Sequence, residues 1–183
     1  TPVFERMLAD ENITVELNTD AKDRLKFKAD GIYLDGQCFT GSVIYTGPAD
    51  ELFDCCFGRL PYRTLEFVTE YLDMDSFQPK AVINYTVSED FTRITEYKKL
   101  TGQQVKGTTI MKEYPKAYTG ADGEIPYYAI VNEENQAIYN RYEALAAKYP
   151  NLYLLGRLAE YKYYNMDAIV AKALRLSDQL LQK

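Results

Sequence analysis

The chain has 183 residues and 46% hydrophobic content, enough for one substantial core or a large lobe of a bigger protein and too much for a disordered tail. A net charge of −6 without a Lys/Arg stripe argues against nucleic acid as a partner, and the absence of histidine removes Ser-His-Asp catalysis, imidazole proton transfer and most zinc chemistry, so no metal is expected. Three cysteines, with Cys55 and Cys56 adjacent, make a poor disulfide framework, and the apolar runs fall far short of a bilayer span; the expectation is a cytoplasmic chain with reduced thiols and no membrane partner.

Residues 3 to 9 read as a helix end, and a first residue that is Thr rather than Met leads us to expect a chain that begins mid-architecture. Ile13-Thr14-Val15-Glu16-Leu17 alternates as a strand, and Asp30-Gly31 and Asp35-Gly36 signal the turns of a hairpin-like segment. Gly41 to Tyr45 reads as a buried strand that ends at Thr46-Gly47, with Pro48 as the first helical residue of a helix running to Phe57, stopping at Gly58 and burying Cys55-Cys56. A strand, a glycine and a helix in sequence is also how nucleotide cofactors are approached, though that signal is weak alone.

From Tyr62 the pattern turns to strands: Arg63 to Leu72, Ala81 to Val87, Thr92 to Leu100 and Gly107 to Tyr114, with short connections that favour an antiparallel meander. Period-two geometry puts Asn84 on a face with Val82 and Thr86, and Arg93 with Thr95 and Tyr97; an arginine and an asparagine there need solvent or a ligand. Residues 115 to 129 read as a loop, followed by a helix from Glu133 to Tyr149 with an apolar stripe of Ile138, Tyr142, Leu145 and Tyr149. The fold class expected is α+β.

The stretch Gly156 to Asp167 lies between a short apolar strand, Leu152 to Leu155, and a helix from Met166 to Gln182. Asn165 is a preferred N-cap and Asp167 puts a negative charge in the first turn, so the free N–H groups of the helix start should point back toward Arg157 and attract an anion, phosphate above all. Most of the 17 tyrosines are expected to be packing, but Tyr127-Tyr128 and Tyr163-Tyr164 stand at loop or helix entrances where hydroxyls can reach a diphosphate. Arg63, Arg93 and Arg157 are, singly, ordinary surface arginines; beside a helix start they suit bidentate phosphate recognition. Glu133-Glu134 and Asp73/Asp75 read as a helix N-terminus and a polar turn rather than as catalytic pairs.

Six blocks, in order, carry a resemblance: Val43 to Phe53, Leu60 to Phe67, Ala81 to Thr86, Phe91 to Lys98, Pro126-Tyr127-Tyr128, and Gly156 to Met166. Over essentially the whole chain they resemble the C-terminal half of the UDP-galactopyranose mutase family, bacterial flavoenzymes that interconvert UDP-galactopyranose and UDP-galactofuranose for cell-surface glycans. The resemblance implies reduced FAD as cofactor and UDP-galactose as substrate, with the flavin attacking the anomeric carbon and UDP leaving and returning, so the activity is an isomerase's. It implies Arg93 as the arginine that neutralises the diphosphate and Arg63 as its supporting catalytic arginine. Asn84, Tyr128, Tyr163 and Asn165 are implied on the substrate side, and Arg157, Met166, Asp167, Thr46 and Gly47 on the cofactor side. It divides the chain into 1–60, part of an FAD-binding domain; 61–130, an antiparallel substrate-side sheet; and 131–183, returning to a Rossmann-like FAD domain.

This sequence departs from the family at Asn165, where many members have Asp, and at Ala129 to Asn132, where prolines are usual. It also has no Gly-x-Gly-x-x-Gly turn, so it is expected to supply one wall of a site, to bind FAD weakly and to be inactive alone. Two other functions stay open: a non-catalytic sugar-nucleotide or glycan-binding module that uses the tyrosines as platforms, and another FAD-dependent oxidoreductase of related fold. An uncovered apolar FAD face would make the chain a homo-oligomer.

Overall fold

The computed structural model describes residues 2–182; Thr1 and Lys183, at the outer limits of the expected segments 1–60 and 131–183, lie outside it. In chain order the elements are α1 (Pro2–Met7), α2 (Ala21–Arg24), β1 (Leu25–Lys28), β2 (Gly31–Leu34), β3 (Gln37–Cys38), β4 (Val43–Tyr45) and α3 (Ala49–Leu52). They continue with β5 (Tyr62–Leu72), β6 (Val82–Asn84), β7 (Arg93–Glu96), α4 (Tyr97–Thr101), β8 (Thr108–Ala117), β9 (Tyr128–Ala129), α5 (Glu133–Ala146), β10 (Leu152–Leu154) and α6 (Met166–Leu181). This mixed α/β chain with antiparallel sheets agrees with the α+β class.

Three sheets organise the described residues. β1, β2 and β3 form an antiparallel ribbon, and the β2–β3 turn places Asp35 and Gly36 at φ of 50° and 82°. Two successive left-handed residues make the tight hairpin turn that the Asp-Gly pair signals. β4 and β10 pair in parallel, Val43 opposite Leu152 and Tyr45 opposite Leu154. The third sheet has the order β6-β7-β8-β5-β9, entirely antiparallel. Only β6, β7 and β8 follow the meander; β5 pairs with β8 rather than with β6.

Several elements depart from the sequence reading. Residues 13–17 are exposed and form no strand: Glu16 bonds the Arg24 side chain, and no strand pairs with this segment among the described residues. The helix after Gly47 has Pro48 as its N-cap and ends at Leu52, since Asp54 and Cys55 both take φ of 52° and the chain turns back. Cys55 is therefore half-buried and Cys56 exposed, in a turn rather than on a helix face. β4 is not buried either, with Ile44 48% exposed. The segment 92–100 is a strand only to Glu96, where α4 begins, and 81–87 only from Val82 to Asn84. β8 continues through Pro115 to Ala117, into the expected loop; beyond Glu113 it has β5 alone as a neighbour, so one missing N–H is tolerated. α5 ends at Ala146, and its buried line is Asn135, Tyr139, Tyr142 and Ala146, with Ile138 and Leu145 flanking.

The core gathers Ile32, Leu52, Phe53, Leu60, Tyr62, Tyr139, Tyr142, Leu152 and Tyr161. Burying a side chain of that size contributes roughly 1.5–3 kcal/mol. Three of the four tyrosines also use their hydroxyls on loop backbone. Tyr142 donates to the Gly58 carbonyl at 2.6 Å and accepts from the Phe57 N–H at 2.9 Å, Tyr62 donates to the Leu158 carbonyl at 3.3 Å, and Tyr161 reaches Pro61 and Ile130. The packing expected of most tyrosines is thus what fixes the loops around the start of β5.

Candidate functional site

The strand registers decide which side chains of the large sheet share a face. Asn84 lies opposite Arg93, Arg93 opposite Glu113 and Glu113 opposite Phe67, while Arg63 lies opposite both Ala117 and Tyr128. Paired residues point to the same side and every second residue returns to it, so Asn84, Arg93, Glu113, Phe67, Arg63 and Tyr128 stand on one face. Arg63, Phe67, Asn84 and Tyr128 are exposed there, whereas Tyr62, Thr64, Ile94, Glu96, Thr108 and Ile110 of the opposite face are buried.

Arg93 is held on two sides. Its Nε donates to Asn84 Oδ1 at 3.0 Å, and its Nη1 lies 3.5 Å from Glu113 Oε1, on a residue only 7% exposed. A guanidinium held this way keeps Nη2 and part of Nη1 for an anion in the fixed geometry that a bidentate contact needs. Asn84 therefore touches the arginine through Oδ1 from an exposed position on the same face. Glu113 escaped the sequence reading because only the β7–β8 register brings it, 20 residues on, beside Arg93.

Arg63 makes no side-chain hydrogen bond or ion pair among the described residues. It lies four residues along β5 and two strands across from Arg93, a separation of about 17 Å. With Arg93 tethered at Nε, the two cannot fork onto one phosphate without full extension of Arg63, so they mark two places on an extended anionic ligand. Tyr127 meets Phe67 ring edge to face at 5.9 Å, bringing the end of the 118–128 segment onto the same face, while Tyr118 at its start packs on Tyr62 of the opposite face. That segment is itself ordered by Glu124, whose Oε2 accepts from Thr119 N–H and hydroxyl and from Gly120 N–H at 2.7–3.1 Å.

A second cluster forms where the two parallel strands end. Thr46 follows β4 and Gly156 follows β10, and a Cβ on Gly156 would lie 4.0 Å from the Thr46 Cβ and carbonyl oxygen. Gly156 takes φ of 113°, which L side chains rarely adopt, so the glycine is required by the turn itself. Gly47 leaves its own space to the Tyr45 hydroxyl, 2.5 Å from where a Cβ would stand. Arg157 donates from Nε to the Tyr164 carbonyl at 2.6 Å and lies 4.3 Å from the Tyr163 ring centroid, a cation–π contact. Its two terminal nitrogens have no partner among the described residues.

The Tyr164 contact sets the start of α6 against Arg157. Asn165 occupies the expected N-cap position, though its side chain makes no cap bond; Asp167 is acidic in the first turn and Met166 is 83% exposed. Instead, Glu160 organises the corner: Oε2 accepts from the Gly156 N–H at 2.9 Å, and Oε1 takes the Tyr164 hydroxyl at 3.0 Å and the Lys172 ammonium. Burial alone would lower the Lys172 pKa, but the Glu160 and Tyr164 bonds outweigh it and raise it. Tyr161, between them, is buried with its hydroxyl pushed up to about 12 chiefly by burial. Glu160, Lys172 and Tyr161 were not legible as site residues; their roles depend on partners one or more turns away or on other elements.

The geometry thus joins Asn84 with Arg93, Arg63 with Tyr128, Arg157 with Tyr163, and Thr46-Gly47 with Gly156-Arg157. Among the described residues no direct hydrogen bond or ring contact joins the sheet face to the Arg157–Tyr163 pair; they are linked through Tyr62 and Tyr161. Among the described residues no cluster of His, Cys, Asp and Glu could hold a metal ion, and no helix is long and apolar enough to cross a membrane.

Comparison with known proteins adds a family. Residues 1–163 match the UDP-galactopyranose mutase family. The chain is 37% identical over 186 residues to UDP-galactopyranose mutase of Mycoplasma genitalium, covering 99% of this chain and 46% of that protein. It is 33% identical over 177 residues to dTDP-fucopyranose mutase of Escherichia coli, covering 95% and 45%, and 32% identical over 185 residues to the probable UDP-galactopyranose mutase of Klebsiella pneumoniae, covering 99% and 44%. The chain spans about half the length of the curated relatives it matches. With a family match over residues 1–163 and similarity along nearly its full length, the chain belongs to the UDP-galactopyranose mutase family.

Proposed function

We propose that this chain forms the substrate-side and part of the cofactor-side wall of an FAD-dependent mutase that interconverts UDP-galactopyranose and UDP-galactofuranose. The observation that carries this reading is the row Asn84–Arg93–Glu113 on the sheet: a guanidinium oriented by two neighbours on a face where Asn84, Arg63, Phe67 and Tyr128 are exposed. The names of the relatives share a nucleotide-linked pyranose, and a diphosphate is the chemistry that such an arginine recognises. Residues 61–130 act as the substrate-side domain, and segments 1–60 and 131–183 as parts of a Rossmann-like FAD domain, supported by the parallel pair β4–β10 with its strand ends side by side.

The residues at those strand ends fit a dinucleotide. Thr46-Gly47 and Gly156 bring backbone within close approach where a bulkier residue at 156 could not hold the turn, and Arg157 has two terminal nitrogens, unpartnered among the described residues, for a phosphate or a ring oxygen. Reduced FAD, when bound, supplies the nucleophile for the anomeric carbon. Arg93 neutralises the diphosphate as it separates from the sugar, and its tether at Nε keeps that charge in place without reorganisation. Arg63 contacts the same extended ligand from about 17 Å along the face, and Tyr128 and Tyr163 offer hydroxyl donors to its phosphates. Asn84 contributes by orienting Arg93, and Asn165, Met166 and Asp167 present the start of α6 toward the cofactor.

The test is a chimera in which this chain replaces the matched segment of the Mycoplasma genitalium relative, assayed for UDP-galactofuranose conversion under dithionite. Conversion that depends on Arg93 is expected; an inactive but folded, FAD-loaded chimera would count against the reading. The 183 residues alone are expected to turn over nothing and to bind FAD weakly.

A further inference from the structure

Tyr161 stands between the two clusters. It is 1% exposed, and its hydroxyl lies 2.6 Å from the Pro61 carbonyl and 2.9 Å from the Ile130 carbonyl, so one proton serves two acceptors. Pro61 immediately precedes β5 and is two residues before Arg63, while Ile130 immediately follows β9 and is two residues after Tyr128. The same Pro61 carbonyl also accepts the Ile130 N–H at 3.1 Å, closing the sheet end at this point. The ring is fixed by Tyr62, edge to face at 5.3 Å, and by Tyr139, stacked at 5.9 Å.

The backbone of Tyr161 is the other half of the device. Its φ of 48° is left-handed, a conformation that side-chain-bearing residues keep only when their surroundings impose it. Gly156 and Leu158 carbonyls accept from Glu160 and Tyr161 N–H groups, and Arg157 accepts from Lys162, so the chain coils tightly before Tyr161 reverses it. That reversal lets the Tyr163 ring fold back onto the Arg157 guanidinium.

We infer that Tyr161 is a positioning residue, a latch whose hydroxyl, bridging the Pro61 and Ile130 carbonyls, sets the Arg157–Tyr163 corner in register with Arg63 and Tyr128 on the sheet. The latch rests on this geometry; its consequence for a bound diphosphate rests on the functional reading above. Tyr161 itself touches no ligand. Its side chain is consumed by protein contacts on both faces and at its tip.

Tyr161→Phe removes the bridge while keeping both ring contacts, and Tyr139→Phe serves as control, since that hydroxyl reaches neither carbonyl. Hydrogen exchange on the 183-residue chain is expected to quicken at least fivefold at the Tyr127, Ile130 and Lys162 amides in Tyr161→Phe, with β7 and β8 amides unchanged and Tyr139→Phe like wild type. Uniform acceleration across the chain would mean that the hydroxyl serves global stability alone, and no acceleration would mean that there is no latch; either overturns the inference. In the chimera, UDP affinity by calorimetry is expected to fall about tenfold in Tyr161→Phe. Unchanged affinity beside quickened exchange would overturn the positioning role, whereas a wild-type chimera that binds no UDP would sink the functional reading and leave exchange to judge the latch.

Discussion

Two fully buried carboxylates mark two differently finished regions. Glu96, at the β7–α4 junction, accepts the Phe77 N–H at 3.0 Å, the Gln78 N–H at 3.1 Å and the Thr108 hydroxyl at 2.9 Å, with Lys99 3.8 Å away. Burial alone would raise its pKa, but these donors together hold it below the ordinary value. Asp50, at the start of α3, accepts the Leu60 N–H at 2.9 Å through one oxygen, while its Oδ1 has no partner among the described residues. Burial there prevails and its carboxyl is raised. The sheet region satisfies its buried carboxylate from its own backbone and side chains, although the neighbouring buried Gln78 Oε1 has no partner among the described residues. The region around β4, β10 and α6 is left open: no α6 residue is buried, and Met166, Val170, Leu174 and Leu181 lie exposed along it. A parallel pair and an apolar helix face need cover on further sides than this chain supplies.

The contrast can be broken most forcefully at Glu96. Glu96→Ala orphans two N–H groups and a hydroxyl, each costing about 1–3 kcal/mol, so a destabilisation of at least about 3 kcal/mol is expected in chemical denaturation; a change below 1 kcal/mol would show that the clamp is not what closes this region. Next comes function on the same sheet. Arg93→Ala in the chimera should lower turnover about 100-fold or more, and wild-type rates would remove Arg93 from its role.

Acid and base should then separate the two carboxylates. Glu96 has a lowered folded pKa, so its contribution is present above the unfolded value of 4.5 and is lost as pH falls through the folded value; Glu96→Gln should flatten the acid limb of a melting-temperature profile. Asp50 has the opposite sign: its contribution is present below 3.8 and is lost as pH rises through the raised folded value. Asp50→Asn should therefore melt higher than wild type at pH 7, by about 2–4 °C, and lose that advantage at pH 3; a lower melting point at pH 7 would contradict the assigned sign. The smallest effect belongs to the open helix. Leu174→Ser should shift the stability of this chain by less than about 0.5 kcal/mol, and a loss several times larger would mean that the outer stripe of α6 is already covered.

Much of the candidate site was legible because local chemistry is written in adjacent residues. The Gly156-Arg157 corner followed from a short apolar strand, a glycine and a helical period, and its glycine does take the left-handed turn that only glycine allows. The hairpin at Asp35-Gly36 was equally local. Less legible were endings. Cys55 and Cys56 lay inside a helix expected from Pro48 to Phe57, yet the Asp50 carboxylate draws Leu60 back and turns the chain; Tyr97 to Leu100 continued a strand pattern, yet the Glu96 clamp ends β7 there. In both, a buried carboxylate overrides local preference by satisfying backbone donors far along the chain.

The sequence by itself determined the chemistry available to this chain: no imidazole, arginines at 63, 93 and 157, and tyrosines at the entrances of loops, in an order that belongs to one family of mutases. Only the tertiary structure decided what those groups touch. Register, a property of paired strands and not of either strand alone, put Asn84 and Glu113 on Arg93; burial, a property of the assembled core, turned Tyr161 from one tyrosine among 17 into the tie between sheet and corner.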